Sequence, residues 1–90
     1  MSRAIVDPTE LRRFAKGLQR FNGELRQQLA GMQGQLLNLG TSWRDQEHKK
    51  FVEEFQQQMQ TLAHFMEASD EYVRFLTRKA ERAEDYLQQR

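Results

Sequence analysis

Apolar residues recur at steps of three and four along two stretches of this chain, separated by one short polar break. In the first stretch Leu11, Phe14, Leu18, Phe21, Leu25, Met32 and Leu39 share a stripe, with Gln28 its polar entry and Leu29 beside it. That spacing predicts an amphipathic helix over about 8–39. Its start is written in Asp7-Pro8-Thr9-Glu10: an aspartate able to accept from free amides, a proline suited to the first helical position, and a glutamate able to reach back to the cap. Gly40-Thr41-Ser42 ends it, since glycine suits a left-handed helix end and Ser42 can cap the next helix, with Asp45 three residues on.

The second stretch is more regular. Val52, Phe55, Met59, Leu62, Met66, Ser69, Val73, Leu76, Ala80, Ala83 and Leu87 keep a 3.5-residue spacing through five heptads, predicting a helix over about 43–88. Beside it a line at seven-residue steps carries Phe51, Phe65, Tyr72 and Tyr86, with Gln58 and Lys79 between. The apolar face is therefore wider than the seam between two helices needs. Burying one such side chain is worth about 1.5–3 kcal/mol, so leaving several wet is costly for a small domain. The expectation is an all-α protein: one domain over 1–90, an antiparallel two-helix hairpin pairing as a dimer into a four-helix bundle. Its core and dimer stripe comprises Leu11, Phe14, Leu18, Phe21 and Leu25 on the first helix, and Phe55, Met59, Leu62, Phe65, Met66, Tyr72 and Val73 on the second.

Charge supports the antiparallel pairing. Residues 8–39 carry five Lys or Arg and two acids, whereas 43–90 carry eight and ten, so a positive half faces a negative one. Folding about Thr41 sets residue i opposite roughly 82 − i, which brings Arg12 and Arg13 near Asp70 and Glu71 and Lys16 near Glu67. Exposed pairs of this kind choose orientation more than they stabilise. In that register residues 75–90 overrun the first helix, and Phe75, Leu76, Tyr86 and Leu87 become a candidate partner-docking tail. Gly17 and Gly31 share a heptad position and are read either as sites of close helix approach or as tolerated residues on a solvated face.

The composition narrows the chemistry. With 38% hydrophobic and 30% charged residues, one proline and no cysteine in 90 residues, disulfides and thiolate metal sites are excluded and long helices favoured. His48 and His64 stand sixteen apart, without the spacing of a helical zinc pair, so no metal and no cofactor are expected and His48 reads as a boundary residue. No nucleophile, base and acid set or phosphate-binding loop is present, so the chain is read as not an enzyme. Arg12, Lys16 and Arg20 in line could follow a phosphate backbone, but acids are expected opposite some of them and no aromatic interleaves to stack on bases. No apolar run is long enough to span a bilayer. Met1–Asp7 offers only Ala4, Ile5 and Val6 as an apolar group, which is no signal peptide.

The break reads Leu36-Leu37-Asn38-Leu39-Gly40-Thr41-Ser42-Trp43-Arg44-Asp45, with Phe51 eight residues after the tryptophan. This resembles the WXG family, the early-secreted-antigen type of small helical hairpins handled by type VII (ESX) secretion, over nearly the whole chain. The resemblance implies a turn motif at Trp43, Asp45 and Phe51, with Asp45 standing where the family has glycine. The family's Tyr-x-x-x-Asp/Glu tail is missing, since Tyr72 is followed at that distance by Leu76 and Tyr86 by Arg90. It implies a dimer with itself or with a similar hairpin, and a secretion-system component as a further partner. It also implies a leaderless route out of the cell, with a cytoplasmic stage before export. The rival expectations are an intracellular hairpin scaffold or a needle-type secretion subunit, which polymerises instead of closing as a dimer.

Overall fold

The computed structural model describes residues 6–89, and within them the chain is two long helices, α1 (Pro8–Leu39) and α2 (Gln46–Gln88), joined by a six-residue turn. The two stripes thus form the predicted antiparallel hairpin. The leader reading falls largely on residues 1–5, and Arg90 ends the family-tail comparison; both lie outside the described residues. At the start of α1 the Thr9 amide donates to Asp7 Oδ1 at 2.9 Å with Pro8 at the first helical position, the arrangement those residue types favour.

The turn departs from expectation in two places. Gly40 ends α1 at φ −64°, ψ −13°, and no described residue adopts the left-handed conformation. Glycine serves here for close approach: a Cβ on Gly40 would sit 3.6–3.7 Å from the His48 ring and 3.3 Å from the Leu37 carbonyl. The second helix starts at Gln46 and not at 43, because Asp45 and not Ser42 is its cap: the His48 amide donates to Asp45 Oδ1 at 3.0 Å. Ser42 instead donates from its hydroxyl to the Leu39 carbonyl. Asp45 is therefore a capping residue and not the third residue of the helix.

The pairing register differs from expectation by more than the later start of α2 accounts for. Ser69 lies against Asn22, Arg26 against Asp70 and Arg12 against Glu84, so residue i faces roughly 91–96 − i and not 82 − i. The Arg12 fork closes on Glu84 at 2.7 and 2.8 Å. Ala80 is fully buried. Residues 75–84 thus run beside the start of α1, and the overhang shrinks to about one turn.

The seam is narrow. On α2 it follows the heptad line read from sequence, from Val52 through Phe55, Met59, Leu62, Met66, Ser69, Val73, Leu76 and Ala80 to Ala83. On α1 it follows Leu11, Ala15, Leu18, Asn22, Leu25, Leu29 and Leu36. Phe14 and Phe21 are displaced to the surface, at 62% and 48% exposure, by their neighbours Ala15 and Asn22. Small residues let the helices approach; phenylalanines on both sides of one seam would hold them apart. At its centre sit Asn22 and Ser69, 0% and 1% exposed, the Ser69 hydroxyl donating to Asn22 Oδ1 at 2.8 Å. The Asn22 amide donates to Asp70 Oδ1 at 3.1 Å, and Arg26 donates to the other Asp70 oxygen. A buried amide without such partners costs about 1–3 kcal/mol, so the network is needed once Asn22 is inside.

Candidate functional site

The hairpin is a plate of 68 × 19 × 14 Å with a radius of gyration of 20.2 Å, where a compact chain of this length has about 12 Å. It exposes 7287 Å², against roughly 5,500 Å² for a compact monomer of 10.8 kDa. Two helices bury one stripe each, and everything beside that stripe remains on one of two broad faces.

Residues that immediately follow seam positions share the first face. Arg12, Lys16 and Gln19 on α1 line a groove with Arg74, Thr77, Arg78 and Glu81 on α2. The ion pairs Arg12–Glu84 and Arg26–Asp70 cross the seam on this side. Glu84 is held below the usual carboxylate range by its hydrogen bonds from Arg12, and Asp70 by its bond from Arg26, with Asn22 adding to the same effect.

Residues that immediately precede seam positions share the second face, and these are apolar. Phe14 and Phe21 precede Ala15 and Asn22; Phe51, Phe65, Tyr72 and Phe75 precede Val52, Met66, Val73 and Leu76. Near the turn Met32 and Leu39 line one groove with Phe51 and Phe55, so the two helices share this surface. All of these except Phe55 are exposed by two fifths or more. The expected core and dimer stripe is therefore split: Leu11, Leu18, Leu25, Phe55, Met59, Leu62, Met66 and Val73 lie in the seam, while Phe14, Phe21, Phe65 and Tyr72 lie on the aromatic face. Of the candidate tail, Leu76 belongs to the seam, Phe75 joins the aromatic face, and Tyr86 and Leu87 are exposed near the end of α2.

At the turn Trp43 is half-buried, its ring 5.0 Å from His48 and 5.9 Å from Phe51, and Phe51 continues to Phe55 at 5.8 Å. These tilted arrangements are favourable for aromatic pairs. The motif residues Trp43 and Phe51 thus meet, and the tryptophan packs on α2. His48 is more than a boundary residue: its ring fills the space beside Gly40, and its Nε2 is buried without a hydrogen-bond partner. Polarity hides Asn22 from the apolar pattern, although Ala15, Asn22, Leu29 and Leu36 repeat at seven-residue steps as regularly as the phenylalanine line does. Gly17, Gly23, Gly31 and Gly34 have open space where a Cβ would point, so no helix of this chain approaches them.

Among the described residues no three His, Asp or Glu side chains gather as a metal site, and no helix is long and apolar enough to cross a membrane. What the fold offers is a helix-packing protein: its chemistry lies in an uncovered aromatic surface and a tryptophan-built turn. The chain belongs to the WXG100 family, described as proteins of 100 residues with WXG, whose profile matches residues 4–86. Members are small helical proteins associated with type VII secretion, and they are not enzymes. Comparison with curated proteins and with solved structures gives no match. The place of the motif glycine has a physical account here. It falls on the N-cap of α2, where Asp and Gly are both favoured residues, so Asp45 replaces one good cap with a stronger one.

Proposed function

We propose that this chain acts without catalysis in type VII secretion, pairing with itself or with a similar hairpin through its aromatic face, and leaving the cell as that dimer or presenting its partner for export. The aromatic face carries the reading. Phe14, Phe21, Phe65 and Tyr72 form an apolar surface drawn from both helices that the hairpin cannot cover. The area exposed beyond that of a compact monomer is roughly 1,800 Å², more than the roughly 800 Å² per partner of a stable interface. A second hairpin laid on this face closes a four-helix bundle, and Trp43 with Phe51 then stands at its end as a surface for a secretion component.

Light scattering over a range of concentrations tests the pairing. A mass of two chains that stays constant supports a closed dimer; a mass that keeps rising with concentration supports a polymerising subunit instead, and a constant mass of one chain overturns the pairing. Export is tested in the host with and without the type VII motor ATPase. Equal amounts of chain outside the cells in both strains would remove secretion from the reading.

A further inference from the structure

We propose that the buried pair Asn22 and Ser69, continued to the surface by Asp70 and Arg26, is a register key, which fixes how α1 aligns with α2 and thereby how the two halves of the aromatic face meet. Asn22 and Ser69 are the polar positions of an otherwise apolar seam between Leu11 and Leu36, and they bond to each other. Slip α2 by one heptad and the seam still matches apolar with apolar along the rest of Leu11–Leu29. The slip sets Leu62 or Leu76 beside Asn22, and Leu29 or Ala15 beside Ser69. The Asn22 amide then loses both of its partners inside the seam, and Arg26 is drawn away from Asp70. Only one alignment satisfies this set, which is how a single buried asparagine selects a register in paired helices.

The turn alone is a weak stop against such a slip. Gly31 and Gly34 make the last three turns of α1 easier to unwind, and residues 27–39 contain no charge that an ion pair could hold in place. A one-heptad slip moves α2 by about 10 Å. Phe65 and Tyr72 would move that far along Phe14 and Phe21, so the aromatics of the two helices would meet in a different alignment. The consequence for pairing rests on the proposed function; the register key itself does not.

The absence of cysteine allows a direct test, with spin labels on cysteines introduced at the exposed positions Arg20 and Gln57. The labelled chain is diluted with unlabelled chain, so that only distances within one chain are read by electron–electron resonance. The parent should give one narrow distance. N22A/S69A should keep its helical content and its cooperative melt while showing a second population displaced by several ångströms, and Ser69→Thr, which keeps the hydroxyl, should return the single distance. One unchanged distance in N22A/S69A would overturn the proposal by showing that the turn sets the register. Loss of folding in N22A/S69A would overturn it too, because the pair would then be holding the hairpin together and not choosing its alignment. None of these readings depends on whether the chain dimerises, so a failure of the pairing reading leaves them distinct.

Discussion

The two broad faces of the hairpin flank the same seam and are built from the same two helices, yet one is completed within the chain and the other is not. On the first, Arg12 meets Glu84 and Arg26 meets Asp70, so opposite charges find each other across the helices and the remaining cations and acids stand in water. On the second, Phe14, Phe21, Phe65 and Tyr72 have no covering layer. Water completes a charged surface at little cost, whereas an aromatic surface left in water is costly. The charged side is completed within one chain, and under the proposed function the aromatic side addresses a partner.

The largest expected effect comes from spoiling the aromatic side. Phe21→Glu combined with Tyr72→Glu should weaken self-association by at least about 100-fold, as the loss of two central aromatic contacts does, while helicity by circular dichroism stays unchanged. If helix and mass are lost together, the face belongs to the folding core and the contrast between the two sides dissolves. Met66→Ala attacks the seam beneath both faces. Met66 is buried, so its truncation should lower unfolding stability by about 2–4 kcal/mol in urea titrations, and a loss under 1 kcal/mol would mean the seam is loosely packed there.

At the turn the expected effects are smaller and separable. Trp43→Ala should cost roughly 2 kcal/mol, less than a fully buried aromatic, because the indole is only half-covered by His48 and Phe51. Asp45→Ala should cost about 1 kcal/mol, and Asp45→Gly, which restores the family residue, only a few tenths. If export or partner binding falls in Trp43→Ala while the dimer stays intact, the turn is a recognition surface. If both fall in step with stability, the tryptophan is a packing plug.

The smallest effect belongs to the charged side and is read from pH. The Asp70 and Glu84 carboxyls are held below their ordinary range by Arg26 and Arg12 respectively, so the folded chain binds fewer protons than the unfolded one near their titration. Their contribution is complete above the unfolded carboxylate values of about 4 and is lost as the pH falls through the lower folded values. The melting temperature should therefore hold from neutral pH to about 5 and decline below about 4. Asp70→Asn and Glu84→Gln should each flatten that decline; an unaltered pH profile in both would show that the pairs do not order the hairpin. Side chains of Arg12 and Glu84 more than a third exposed keep this effect modest.

Both helices, the seam of α2 and the surplus of aromatics are legible in the amino-acid order, because each of these is a periodicity and periodicity is local information. The family is legible there too, since Trp43 between two apolar stripes is visible without coordinates. Three matters were left to the tertiary structure. Leu11, Leu18 and Leu25 can be joined into a stripe through Phe14 and Phe21 or through Ala15 and Asn22, and hydrophobicity alone prefers the phenylalanines. The seam takes the alanine and the asparagine because the distance between two helices is set by side-chain size, and because Ser69 on the other helix satisfies the buried amide. The register was left to the contacts across the seam, where Ser69 meets Asn22 and Arg12 meets Glu84, pairs that a symmetrical fold about the turn does not bring together. The division of the plate into a charged and an aromatic side followed from both, since which residues flank a seam cannot be known before the seam itself is placed.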